Sequence, residues 1–241
     1  MKIKRLNGLA LRKIARNDYV GDDMDESTCP KSVNVLWDRL EVMEHEMRFD
    51  GRSYPRGMCK FPFRLAGQGF FPGGDGLWRQ DSALSAVRDG SLPIGGVIFL
   101  GNDFGTLASY NRRRSASFEN VPTWRHIKAR VCYAEIPSEK TFFTNAILGL
   151  REEGSALGKK SWQSIPEFAL FCGEFLRFQL ETLAPRLVVI LGPHARESFD
   201  ALAKKTSAKV LYTTHPYADF GLSKDRLKDE VHALAKAWRQ S

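Results

Sequence analysis

Residues 97–106 read VIFLGNDFGT. Val97, Ile98, Phe99 and Leu100 run into Gly101; Asn102 and Asp103 follow, and Gly105 comes soon after. A short unbroken apolar run closed by glycine and polar residues is a buried strand. A strand with no polar alternate positions belongs in a sheet covered on both faces. Its abrupt end sets an amide and a carboxylate at the edge of that sheet.

The same grammar continues downstream. Residues 94–100, 140–147 (KTFFTNAI), 185–192 (PRLVVILG) and 208–214 (AKVLYTT) read as strands. Helical periodicity fills the intervals at 121–132, 164–184, 193–205 and 223–240, with Pro193 suited to a first turn and Ser223 to a cap. Phe168, Phe171, Phe175 and Phe178 fall on or near one face of the second of these. Strands alternating with helices imply βαβ units. The expected fold is α/β: a three-layer α/β/α sandwich around a central, mostly parallel four-stranded sheet, with an N-terminal extension. The core is assigned to residues 91–241. Residues 1–90 form the extension. In it, residues 31–49 carry Val33, Leu36, Trp37, Leu40, Met43 and Met47 at helical spacing, and residues 51–80 are dense in Gly, Pro and aromatics.

The bounds agree with such a core. The chain has 241 residues, 43% of them hydrophobic. No apolar run is long enough to span a bilayer, and the basic N-terminus, broken by Arg12, Lys13 and Arg16, shows no signal-peptide pattern. A cytoplasmic location without membrane association is expected. Cys29, Cys59, Cys132 and Cys172 form no C-x-x-C pair, so they are expected as reduced packing thiols, with no metal site. The net charge of +8 suits a polyanionic partner as well as it suits a merely basic protein. Arg112, Arg113 and Arg114, in an expected loop within NRRRS, favour the polyanion.

Parallel strands put all their carboxyl ends on one edge, where ligands of open α/β sheets bind. Four ends would meet there: Gly101-Asn102-Asp103, Thr144-Asn145, Gly192-Pro193-His194 and His215-Pro216. Each member has a plainer reading. Asp103 is also a turn former or cap, and Asn145 can satisfy the backbone at a strand end. His215 can be a packed histidine, Gly192-Pro193-His194 a helix start, and Tyr110 and Phe118 core or loop anchors. Convergence and order, not any single residue, single out this edge.

Those motifs in that order resemble the uracil-DNA glycosylase superfamily, over residues 94–220. Its members carry a glycine-led loop with an acid or amide after the first core strand, a strand ending in Asn, a P-x-V-V-x-L-G strand and a late His-Pro. This chain departs at Phe104, where most families have Pro, and at Tyr217, where most have Ser or Ala. The cysteine pattern of the iron–sulfur branch is absent, so no cofactor is expected. Phe220 and Leu222 are the candidate wedge residues. Asp103 sits where the uracil-excising branch has its Asp.

The resemblance implies a DNA glycosylase that hydrolyses the N-glycosidic bond of uracil or a related deaminated base, as in base excision repair. Such an enzyme flips the base out of the stack. Asp103 would stabilise the developing sugar cation and orient water, and His215 would donate a hydrogen bond to the departing base. Asn145 would read the O4 and N3–H edge of uracil, with Gly101 and Asn102 lining the site. Phe118, or in its place Phe104, would stack on the base. Arg112, Arg113, Arg114, Gly192 and His194 are expected at the DNA, the one partner implied. Two alternatives stay open: a weak or inactive relative that binds DNA or a modified base, and an unrelated α/β enzyme acting on a nucleotide or small molecule.

Overall fold

In a computed structural model of the chain, the structure describes residues 34–46, 54–61, 92–113, 122–152, 165–203, 206–216 and 224–241. Lys31–Ser241 forms one compact unit. The central sheet has four strands: β2 (Val97–Gly101), β3 (Thr141–Asn145), β5 (Leu187–Leu191) and β6 (Lys209–Thr213), in the order β3-β2-β5-β6. Every pairing is parallel, with Gly101 opposite Asn145 and Leu191 opposite Thr213. A two-stranded antiparallel ribbon of β1 (Met58–Cys59) and β4 (Leu150–Arg151) lies apart from it.

All five residues of β2, β3 and β5 are buried; β5 and β2 up to Leu100 are unbroken apolar runs, whereas β3 also buries Thr141, Thr144 and Asn145 around its two phenylalanines. The pleat divides them between two cores. Ile98, Leu100, Phe142, Val188 and Ile190 face one side. There they meet α1 (Asn34–Glu46), α4 (Pro166–Leu183) and α5 (Gly192–Leu202). Val97, Phe99, Phe143, Leu187, Val189 and Leu191 face the other, against α3 (Pro122–Tyr133) and α6 (Lys224–Arg239). Helix, sheet and helix make the three expected layers. Each fully buried Phe, Leu or Ile contributes roughly 1.5–3 kcal/mol of apolar transfer.

The expected helix at residues 31–49 is α1, which buries Leu36, Trp37, Leu40 and Met43; Val33 and Met47 lie outside the described residues. In α4, Phe168, Phe171 and Phe175 are buried, and Phe178 is half-buried against them. Two expectations need correction. The first strand begins at Val97 rather than Ile94, because Ile94 and Gly95 form a turn. Arg112 and Arg113 are not in a loop: they end α2 (Leu107–Arg113). Thr106 starts that helix by accepting the Ser109 N–H on its hydroxyl at 3.2 Å. Arg114, Phe118, Tyr217, Phe220, Leu222 and Ser223 lie outside the described residues. No helix among the described residues is long and apolar enough to cross a membrane.

The order of the strands fixes where a ligand would sit. After β2 the chain crosses to β3 on one side; after β5 it crosses to β6 on the other. β2 and β5 are neighbours whose connections depart in opposite directions. A crevice opens at the carboxyl ends of such a pair.

Candidate active site at the carboxyl edge of the sheet

Gly101 ends β2 at that edge of the sheet, and Asn102 and Asp103 follow it. The Asp103 carboxylate folds back on its own loop: Oδ1 accepts the Gly105 N–H at 2.9 Å, and Oδ2 accepts Asn102 Nδ2 at 3.1 Å. Gly105 has φ +81°, in the left-handed region that glycine occupies at little cost. Asp103 is thus a turn former in the ordinary sense. It is also more than that, because Arg151 Nε lies 3.3 Å from Oδ1, with both side chains largely buried.

Asn102 is bonded on its other side to a helix. Its Oδ1 accepts the Ser198 hydroxyl at 2.8 Å, which ties the β2 loop to α5. Ser198 is 2% exposed and shares the buried face of α5 with Ala195 and Phe199. A hydroxyl on an otherwise apolar helix face is the sequence signal that could have found it.

Asn145 ends β3 beside Gly101. The chains stay zipped past the strand, with Ala146 N–H donating to Gly101 C=O at 3.0 Å and Ile147 N–H to Asn102 C=O at 2.9 Å. Asn145 is 1% exposed, and neither Nδ2 nor Oδ1 has a hydrogen-bond partner among the described residues. Leaving a buried amide unsatisfied costs about 1–3 kcal/mol per group, so such a residue calls for an explanation.

The loop that follows is held firmly. Leu148 N–H donates to Cys172 Sγ at 3.4 Å, and burial pushes that thiol up to about 12. Gly149, at φ +99°, leaves room for the Tyr54 ring. The Tyr54 hydroxyl donates to Glu44 at 2.5 Å; burial first, and the Glu44 charge second, hold it well above the usual phenol range. Arg151 N–H then donates to Gly105 C=O at 2.8 Å. This places Arg151 against the β2 loop.

His215 enters from the far side. Gly192, at φ +87°, is the position that admits it: a Cβ there would lie 2.9 Å from His215 Cβ. The third and fourth strand ends are therefore in direct contact. His215 is exposed, as is His194 in the first turn of α5.

Among the expected site residues, the fold brings together Gly101, Asn102, Asp103 and Asn145, and separately Gly192 and His215. Phe104 goes elsewhere. It is 3% exposed and meets Phe61 edge-on at 4.8 Å, inside the core. Tyr110 is likewise core, 1% exposed. Arg151 and Ser198 were not anticipated. Among the described residues no group of three or more His, Cys, Asp or Glu could hold a metal ion.

No family model matches the chain, and no curated protein matches it. Among solved structures it is similar to a mimivirus UNG in complex with UGI, at 17% identity and a TM-score of 0.32. That similarity covers 52% of this chain and 52% of the viral one, so the chain spans about half the length of that neighbour.

Proposed function

We propose that the chain is a glycosylase-like hydrolase that removes uracil or a related deaminated base from DNA. The observation that carries this reading is Asn145, a buried amide at the carboxyl edge of the sheet whose donor and acceptor are both unpartnered among the described residues. An amide offers one acceptor and a donor on the same plane. The O4 and N3–H edge of uracil presents the complementary pair, and cytosine presents a mismatch. Both Asn145 atoms are closed to solvent, so base binding on this reading requires the strand-end loops to rearrange.

The remaining groups have roles of the right kind. Asp103 Oδ2 has acceptor capacity beyond its bond from Asn102, enough to hold a water against the sugar carbon. Its charge would stabilise the oxocarbenium-like transition state. His215, exposed beside Gly192, would donate to the departing pyrimidine oxygen. Arg112, Arg113 and Arg114 would hold phosphate.

The test is incubation with single- and double-stranded oligonucleotides carrying uracil, hypoxanthine or xanthine, followed by alkali to cut abasic sites. Cleavage at the altered base is expected. A second reading has one observation in its favour. Arg151 already pairs with Asp103 at 3.3 Å, which suits a protein that binds a modified strand without cutting it. Retained affinity with no cleavage of any altered base selects that reading.

A further inference from the structure

Thr214, the residue before His215, is gripped by an ion pair that reaches it from two different helices. Arg130 on α3 is 4% exposed and lies 3.1 Å from Glu230 on α6. A largely buried ion pair repays its desolvation only when its remaining donors and acceptors are well used. Here several of them go to one residue. Arg130 Nη1 donates to Thr214 C=O and Nη2 to Thr214 Oγ1, both at 3.3 Å. Thr214 Oγ1 donates to Glu230 Oε2 at 2.7 Å. Thr214 N–H donates to the same carboxylate, at 3.2 and 3.3 Å to its two oxygens. The backbone N–H, the carbonyl and the hydroxyl of Thr214 are thus all held at once.

We propose that Arg130 and Glu230 form a positioning clamp that fixes the backbone of Thr214 and thereby sets where His215 stands at the sheet edge. The other wall of this seat is Gly192, whose missing side chain lets His215 Cβ approach. Held by the clamp on one side and backed by Gly192 on the other, an exposed histidine keeps a defined place. The clamped residue lies just past β6, which ends at Thr213. These bonds go to neither β5 nor the Asp103 loop; they end on Thr214, one residue before His215. Its relevance to catalysis rests on the proposed glycosylase reading; its structural action does not.

The experiment compares Glu230→Ala, Glu230→Gln and Thr214→Val with the full-length wild type. Thr214→Val removes only the hydroxyl bonds and keeps the ion pair, so it remains informative if Glu230→Ala unfolds. The readouts are amide hydrogen exchange at His215, one residue beyond the clamped backbone, and titration of the His215 ring by NMR. Expected are an exchange rate at His215 raised about tenfold or more in Glu230→Ala, a smaller rise in Thr214→Val, and rescue in Glu230→Gln. Exchange in β5 should stay at its wild-type level. Wild-type exchange and titration of His215 in both Glu230→Ala and Thr214→Val would overturn the clamp. Excision kinetics on a uracil strand are measured alongside, with kcat expected to fall while KM holds. If the wild type excises no base, the glycosylase reading fails, and the exchange data still decide the clamp.

Discussion

Arg151 Nε lies 3.3 Å from Asp103 Oδ1, with the two side chains 13% and 14% exposed. The guanidinium shares that oxygen with the Gly105 N–H, so one lobe of the carboxylate is saturated. The other lobe accepts from Asn102 alone among the bonds described here. A carboxylate held in this way is already oriented, and an oriented charge needs no reorganisation when a cation develops beside it.

Replacing Asp103 by Asn separates the two roles of this side chain. Asn keeps the acceptor for Gly105 and the turn, but it removes the charge. If Asp103 serves the transition state, single-turnover excision should fall on the order of a hundredfold or more while DNA affinity holds. If it only shapes the turn, the rate should be unchanged. Stability should drop by about 1–3 kcal/mol in either case, because Arg151 loses its partner in a largely buried place. Denaturant unfolding measures that loss, and Arg151→Gln should reproduce it.

The basic cluster gives a prediction about affinity. Arg112 and Arg113 close a short helix that starts at the β2 loop, and Arg114 follows in sequence. Changing all three to Ala should weaken DNA binding and lower the slope of log K against log salt by up to about 3. An unaltered slope in filter-binding or anisotropy titrations would place the phosphate track elsewhere.

The sheet and its helices were legible because their signals are local and periodic. β2 and β5 are unbroken apolar runs, β3 is a short run centred on Phe142 and Phe143, and α1 and α4 repeat every three or four residues. The convergence of the strand ends followed from parallel topology alone. What escaped was whatever depends on a distant partner. Arg151 sits in a two-residue strand that exists only because Met58 and Cys59 pair with it, and so short a strand carries no period. Arg130 and Glu230 are a hundred residues apart. Phe104 could not be told from a base-stacking ring by sequence, because Phe61, which claims it for the core, lies in a Gly- and Pro-rich stretch with no regular pattern. The short helix at Leu107–Arg113 was missed for want of length, although Thr106 and Ser109 were a readable start signal.

Gly192 should tolerate no side chain. Its φ of +87° costs an ordinary residue about 1–3 kcal/mol. The added Cβ would also meet His215 Cβ at 2.9 Å, closer than such atoms approach. Gly192→Ala should therefore lower Tm and displace His215 together. A His215 ring signal unchanged in chemical shift, in a protein that has lost stability, would show that the strain relaxes into α5 instead.

Asn145 sets stability against function. Among the described residues neither end of its buried amide is bonded, so the folded chain carries the desolvation cost of both groups. An apolar side chain of similar shape lifts that cost. Asn145→Leu should raise stability by about 0.5–2 kcal/mol in urea unfolding, and it should abolish discrimination of uracil. Asn145→Asp should do the opposite to stability. A carboxyl group buried at that place has its pKa raised above the unfolded value of about 3.9, because burial disfavours the charged form. A raised carboxyl pKa leaves stability intact below the unfolded value and removes it as pH climbs. The deficit of Asn145→Asp against wild type should thus be small near pH 3.5 and grow steadily toward pH 7. A loss of stability in Asn145→Leu would mean that the amide is satisfied in solution. It would then no longer be a vacant partner for a base, and the reading of this edge as a pyrimidine site would lose its main support.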